Sequence, residues 1–415
     1  MTPEALLRAL FAKAVEVADP MRSLAGFLPE KPKGRVVVIG AGKASARMAE
    51  AVEAVWGPCE GLVITRYGYA RPCRGIEIIE AAHPVPDRAG LDATARILTL
   101  LQGLGPNDFV LALISGGASA LLVAPVDGVT LAEKQAVNAA LLASGAPIVQ
   151  MNTLRKHLSR VKGGQLAAAC RAPVMTLMMS DVPGDDMAFI GSGPTVGDAS
   201  TVADARAVLD RWQVPVPPSV TAALAGPSGV VPPGDPRLAR VTNRIFAAPI
   251  QSLQAAAELA RAAGCDVEIL GDALEGEARE VAKDMARLAL ARQTATRPLV
   301  LLSGGELTVT RRGDGTGGPN AEFALAMALA LDGAPGIWAL ACDTDGVDGA
   351  AEVAGAVIGP ETLAKARRIG VDADAALARN DAHGFFAALG DQVVTGPTLT
   401  NVNDFRAVWI AARPD

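Results

Sequence analysis

Several short segments of this chain set glycine beside lysine, serine or aspartate, a combination suited to anions, phosphates or hard cations. The first is Gly40-Ala41-Gly42-Lys43-Ala44-Ser45. Its glycines permit a tight turn, a helix N-terminus behind it favours an anion, and Lys43 adds a point charge. It is not a Walker A loop, which places four residues between its glycines before Gly-Lys-Ser/Thr. As a dinucleotide fingerprint it has Ser45 in the third glycine position and Thr65-Arg66 where an acidic residue would close the second strand. The bland alternative is a turn with a solvated lysine.

Ser115-Gly116-Gly117-Ala118-Ser119 is able to wrap backbone amides around an anion, or to serve as a plain strand-to-helix turn. The stretch Lys156–Gly164 repeats Lys156, Arg160 and Gly163-Gly164 near helical spacing, which reads as phosphate neutralisation or as a solvated basic face. Ser180-Asp181-Val182-Pro183-Gly184-Asp185-Asp186, followed by Gly191-Ser192-Gly193-Pro194-Thr195, clusters carboxylates that suit Mg²⁺ or a base for a hydroxyl, with an Asx-rich turn as the alternative. Later come Ser303-Gly304-Gly305-Glu306, the glycine-rich 313–320 and Asp343-Thr344-Asp345-Gly346-Val347-Asp348-Gly349. The last resembles an oxygen-rich cation loop, but Ala354 stands where an EF-hand needs its closing glutamate, so magnesium held together with nucleotide phosphates fits better. His83, His157 and His383 lack H-x-x-x-H spacing and read as structural, and no G-x-S-x-G nucleophile elbow is present.

These loops must hang on regular elements. Residues 35–40 form a β-branched run ending in glycine, and 43–56 have helical spacing. The same strand-loop-helix grammar returns at 61–65, 109–114 and 174–179, which predicts βα units and a parallel sheet. Proline and glycine crowd 213–236, with a helical piece at 220–224, and the linker is placed there. Beyond it, helices are expected near 249–263 and 278–292, and strands at 267–270, 298–302, 307–311, 336–341 and 407–411. Two similar strand ends, LALISGGASA at 111–120 and LVLLSGGELT at 299–308, put a Ser-Gly-Gly loop at the carboxyl end of a strand in each half, where open α/β sheets bind ligands.

Composition agrees. At 415 residues two domains are expected, 1–230 and 231–415; half the residues are hydrophobic and only 4% aromatic, so the core is aliphatic, as in helices on parallel sheets. A net charge of -6 without a basic run offers nothing to nucleic acid or an anionic membrane. Residues 1–21 read as an amphipathic helix bearing Glu4, Arg8, Lys13, Glu16 and Asp19, not as a signal peptide. Five scattered cysteines without a C-x-x-C pair disfavour zinc ribbons and disulfides and suit a reducing cytoplasm.

Taken in order, GAGKAS, HPVPD at His83–Asp87, SGGASALL, NTLRKHLSRVKGGQLA, SDVPGDD with GSGPT, LSGGELTV, GGPNAEFALA, DTDGVDGAAEVAGA and TGPTLTNVNDF resemble a class II glycerate 2-kinase with its C-terminal MOFRL domain, from about Val36 to Phe405. The resemblance implies an N-terminal Rossmann-like α/β domain and a second mixed α/β domain. It also implies an active site between them and transfer of a phosphoryl group from ATP, with Mg²⁺, to the 2-hydroxyl of D-glycerate. By matching motif Lys43 becomes the catalytic lysine, and from the acidic cluster an aspartate among Asp181, Asp185 and Asp186, with Asp181 and Asp185 foremost, is expected to orient or deprotonate the hydroxyl. Gly42, Ser115, Gly116, Gly117, Ser119, Arg155 and Lys162 would hold substrate or phosphate, Ser303, Gly304, Gly305, Glu306 and Asn320 the nucleotide, and Asp343 and Asp345 the metal. The partners are then a small hydroxy acid and a nucleotide, with a homodimer left open. One departure stands out: Gly317-Gly318-Pro319-Asn320 replaces the family's Gly-Gly-Arg-Asn, so Arg66, Arg155 or Arg160 must substitute or the substrate differs. Relatives have also carried a hydroxypyruvate reductase label linked to tartrate utilisation. A reductase using NAD(P)H and a non-catalytic anion-binding protein are the competing readings.

Overall fold

The computed structural model describes residues 1–293 and 296–412, which fall into two compact units. The first comprises Ser23–Ser180 and Asp185–Ala247. Its sheet contains β1 (Val36–Ala41), β2 (Glu60–Arg66), β3 (Ile76–Ala81), β4 (Phe109–Ile114), β5 (Val174–Met179) and β6 (Val241–Ala247), in the order β3-β2-β1-β4-β5-β6. Every pairing is parallel. β1 and β5 are buried along their whole length, which is why they read as unbroken apolar runs and not as alternating ones. In this order the chain reverses direction between β1 and β4, so the loops after those two strands open the crevice in which doubly wound sheets take ligands.

A smaller apolar cluster lies beside the sheet, where helices Leu131–Ser144, Ile148–His157, Val202–Trp212 and Pro218–Ala223 bury Val137, Leu141, Leu154, Leu158, Val208 and Val220.

The second unit comprises Met1–Arg22, Asp181–Gly184 and the chain from Ala248 onward. Its strands are β7 (Asp266–Gly271), β8 (Gly276–Glu277), β9 (Leu299–Ser303), β10 (Leu307–Thr308), β11 (Ile337–Asp343), β12 (Gly355–Ile358), β13 (Gln392–Val393) and β14 (Asp404–Ile410). Six of them form a mixed sheet ordered β13-β12-β11-β14-β9-β7, and β8 pairs with β10 in a short ribbon. Helices Pro3–Ala18 and Pro249–Ala262 cover one face. Helices Ala278–Ala291, Pro319–Leu331 and Ala382–Leu389 cover the other. Among the described residues no helix is long and apolar enough to cross a membrane.

The observed division departs from the expected one at residues 230/231. β6 pairs with β5, so the first unit runs to Ala247. The proline- and glycine-rich stretch is not a linker between units: Val231 is fully buried, its N–H donates to the Gly163 carbonyl at 2.9 Å, and its own carbonyl accepts the Asp198 N–H at 2.8 Å. The opening helix, expected in the first domain, belongs to the second unit. The strand expected at 307–311 shortens to Leu307–Thr308, and β3 and β6 were not among the expected strands.

Candidate active site

The loops after β1 and β4 are stitched together. The Lys43 N–H donates to the Gly116 carbonyl at 2.8 Å and the Ser115 N–H to the Ala41 carbonyl at 3.2 Å. Ser115 Oγ accepts the Ala44 N–H at 3.0 Å and lies 3.2 Å from Ser45 Oγ, which also reaches the Leu113 carbonyl at 3.1 Å. Ser115 and Ser45 are therefore fully buried fasteners between the strands. Gly42 is required for this approach, since its φ is 142° and a Cβ there would lie 2.0 Å from Ser115 Oγ. At Gly117, with φ of 80°, a Cβ would meet the His83 ring at 3.0 Å and Lys43 Cγ at 3.2 Å. The side chains of Lys43 and His83 thus converge over Gly117, which brings GAGKAS, HPVPD and SGGAS to one place.

The next motifs join from the other side. Gly163 and Gly164 donate their N–H groups to the Ser192 and Gly193 carbonyls at 3.1 and 2.8 Å. Ser192 Oγ lies 2.8 Å from Ser119 Oγ and donates to Asn152 Oδ1 at 3.2 Å. Lys162 Nζ donates to the Ser119 carbonyl at 2.7 Å. Lys156, by contrast, is buried in an ion pair with Asp198 beneath the Phe189 ring, so it supports the fold and is not offered to a ligand.

These elements enclose a cavity of about 270 Å³ lined by His83, Gly117, Ser119, Lys134, Asn138, Arg155 and Lys162, with Val137, Leu141, Leu154 and Leu158 as its apolar wall. Burial lowers the Lys134 ammonium to about 8, helped by the neighbouring Arg155 charge. Lys162 is also held well below its ordinary value, by burial first and then by Lys134, Arg155 and Lys156. Burial likewise lowers Arg155, whose Nε donates to Asn138 Oδ1 at 2.8 Å. Of the three arginines considered as substitutes at position 319, Arg155 alone lines this cavity. Arg66 stacks on the Tyr69 ring and Arg160 pairs with Asp127. Sequence reasoning missed Lys134 and Asn138 and read His83 as structural. The available signal was one of helical spacing, because Lys134 lies on the same face as Val137 and Leu141 of helix Leu131–Ser144.

The acidic segment after β5 divides between the units. Asp181 belongs to the second unit, where its Oδ2 accepts from Asn401 Nδ2 and its carbonyl from Asn403 Nδ2, both at 3.0 Å. Asp185, at φ of 56°, returns to the first unit, and its Oδ1 is buried without a hydrogen-bond partner among the described residues. Asp186 is exposed and receives the Ala188 N–H at 2.9 Å.

In the second unit the Ser303–Glu306 turn rests on a buried polar network. Arg406 donates to the Gly304 and Gly305 carbonyls, each at 3.0 Å, and pairs with Asp404. Asp404 also accepts from Asn320 Nδ2 at 2.7 Å, and burial pushes its carboxyl up to about 6 against the pull of Arg406 and Asn320. Asp348 receives the Asn320 and Ala321 N–H groups at 3.0 and 2.8 Å, and caps the helix that Pro319 opens. Asn320 is fully buried in this support, whereas Glu306 is exposed. Ser303 Oγ is buried and has no partner among the described residues. Asp343 Oδ1 accepts the Asp345 N–H at 2.9 Å, and Asp345 Oδ1 accepts the Val347 N–H at 2.8 Å. Among the described residues no three His, Cys, Asp or Glu side chains meet to hold a metal by themselves. An all-oxygen loop with few carboxylates does fit Mg²⁺, which keeps waters and shares substrate phosphates.

Residues 6–225 match the model of a domain of unknown function, DUF4147, and residues 299–404 match the MOFRL family. The D-glycerate 2-kinase of Thermotoga maritima is 38% identical over 94% of this chain and 94% of its own length. The chain belongs to the glycerate kinase family. A crystal structure of the Thermotoga maritima glycerate kinase superposes with a TM-score of 0.87 at 37% identity, covering 98% of this chain and all of that one. A protein from Agrobacterium vitis that carries a provisional hydroxypyruvate reductase name is 51% identical over 98% of this chain and 94% of its own length. Within this glycerate kinase family member the first family match begins inside the opening helix, although that helix packs in the second unit.

Proposed function

We propose that this protein transfers the γ-phosphoryl group of ATP to the 2-hydroxyl of D-glycerate, giving 2-phosphoglycerate and ADP, with Mg²⁺ bound. The observation that carries this reading is the cationic cavity at the β1/β4 switch point, beside the Lys43 and Gly117 loops, in a chain alike over nearly its whole length to a D-glycerate 2-kinase. Arg155, Lys162 and Ser119 hold the carboxylate and fix the hydroxy acid against the loops. Lys43, anchored by its backbone, extends its ammonium toward the oxygens of the phosphoryl group in flight, where charge builds up. An aspartate of the 181–186 segment takes the hydroxyl proton as the new O–P bond forms and the bond to ADP breaks. Asp185 suits this because of its unpartnered buried oxygen, and Asp181 because Asn401 orients it.

Ser303, Gly304 and Gly305 receive nucleotide phosphates, with the Ser303 hydroxyl as a donor, while Arg406, Asp404 and Asn320 keep the turn in shape. Asp343 and Asp345 hold Mg²⁺, which neutralises phosphate charge when bound. Arg155 supplies the guanidinium that Pro319 does not.

A reductase reading is favoured only by the Agrobacterium name. Against it, Ser45 is buried between strands where a dinucleotide loop needs a glycine, and β2 ends in Thr65-Arg66 without a carboxylate for a ribose. The deciding experiment is ADP release from ATP and Mg²⁺ with and without D-glycerate, run beside NADH oxidation with hydroxypyruvate on the same preparation. Glycerate-dependent ADP is expected. NADH oxidation without ADP release would overturn the proposal.

A further inference from the structure

The charge balance of the cavity is uneven. Lys134, Arg155 and Lys162 all line it, and no aspartate or glutamate does. Lys134 Nζ donates to the Leu158 carbonyl at 2.9 Å, Lys162 Nζ to the Ser119 carbonyl, and Arg155 to Asn138. These partners are neutral, and among the described residues no carboxylate is in ion-pair contact with any of the three cations. Lys134 and Lys162 are buried, and the wall beside them is aliphatic, so water does little to screen their mutual repulsion. Burying several like charges is tolerated where the ligand brings the opposite charge. One carboxylate, as in D-glycerate, offsets only one of them.

Resting on the reading of this cavity as the hydroxy-acid site, we infer that it selects a small 2-hydroxy acid bearing a second anionic group, and that Lys134 is the residue that selects it. The second group is either another carboxylate on the substrate or the phosphoryl group once transferred. Both present a doubly or triply charged anion of a size the cavity accepts. Asn138 supplies a neutral partner for the hydroxyl, and Arg155, Lys162 and Ser119 take the first carboxylate. Lys134 enters from helix Leu131–Ser144 on its apolar face and meets the remaining charge. Arg155, Lys162 and His83 are the other titratable groups facing the same space.

The test is calorimetric titration of the full chain without nucleotide, at fixed ionic strength and pH 7.0, using D-glycerate, hydroxymalonate and 2-phospho-D-glycerate as probes. At least one multiply charged probe is expected to bind at least about tenfold more tightly than D-glycerate, the direction set by an added ion pair at low dielectric. Preference for hydroxymalonate alone would identify the second group as a substrate carboxylate, and preference for 2-phosphoglycerate alone would identify it as the retained phosphoryl. Lys134→Met is expected to shrink the ratio toward unity. Equal affinities in the wild type, or a ratio unchanged in Lys134→Met, would overturn the inference. Should that variant fail to fold, Lys134→Gln, which removes the charge and keeps a polar tip, is read by the same ratio. Because no ATP is present, a missing preference leaves phosphoryl transfer to be judged separately by ADP release.

Discussion

Lys43 is fixed by its main chain, and that separates its chemistry from the fold. Its N–H belongs to the bond to Gly116, and its carbonyl accepts from Thr65 Oγ1 at 3.4 Å, so an alanine keeps both. Lys43→Ala is therefore expected to lower kcat by about 10²-fold or more, as loss of a donor to developing charge does, with an unchanged melting profile. Full activity in that variant would remove Lys43 from the mechanism. Lys134 makes a prediction of opposite signs. Its folded value, about 8, lies below the 10.5 of an unfolded lysine, so between those values the unfolded chain holds the Lys134 proton that the folded chain has lost, and this group's contribution to the stability of the ligand-free protein rises with pH. Over the same range the cavity loses positive charge and its affinity for anions falls. Measured relative to Lys134→Met, so that the buried thiols and other titrating groups cancel, wild-type melting should rise and wild-type anion affinity should fall between pH 7 and 9.5, and a difference from that variant that stays constant with pH in both measurements would exclude Lys134 from the site. The glycine-flanked residues of the site were legible because a turn leaves a local signature. Lys134 was not, because a single lysine on an aliphatic helix face gains meaning only once the fold shows what that face covers.

Strands and their following loops were the most readable elements, since β1, β4 and β9 are apolar runs that end in glycine or Ser-Gly-Gly and β5 is one followed by Ser180-Asp181. β6 was obscured because Val241–Ala247 carries Thr242, Asn243 and Arg244, an edge-strand composition with only part of its length buried. The proline-rich segment misled for a related reason: proline density reports the absence of regular structure, not the absence of packing. At the second Ser-Gly-Gly turn a geometric constraint gives a direct prediction. Gly305 has φ of 100°, and a Cβ there would fall 2.2 Å from both the nitrogen and the oxygen of Leu274. Backbone cannot yield as a side-chain tip does, so Gly305→Ala must deform the turn at a cost of at least about 2 kcal/mol. ADP affinity is expected to fall about tenfold or more in titration, with hydroxy-acid binding to the first unit retained. Unaltered ADP affinity would place the nucleotide elsewhere.

On the scale of the whole chain, the first helix is distant in sequence from the sheet it covers. Leu6, Leu7, Leu10, Phe11 and Ala14 bury against Leu253, Ala256, Ala257 and Phe405, and the Phe11 and Phe405 rings lie 5.9 Å apart. Ser252 Oγ donates to the Ala14 carbonyl at 2.8 Å and Thr400 Oγ1 to the Ala18 carbonyl at 3.2 Å. Four large apolar side chains at about 1.5–3 kcal/mol each make a contribution comparable with the entire net stability of an ordinary domain. Deletion of Met1–Arg22 should therefore unfold the second unit while leaving the six-stranded parallel sheet intact, because the first unit begins at Ser23. Differential scanning calorimetry of the shortened chain is expected to show loss or strong lowering of the second unit's transition. Amide exchange should locate the lost protection in β7, β9, β11 and β14, with β1, β4 and β5 still protected. Retained protection throughout the second unit would mean that its core closes without the helix, and that the sequence-distant contacts add little to its stability.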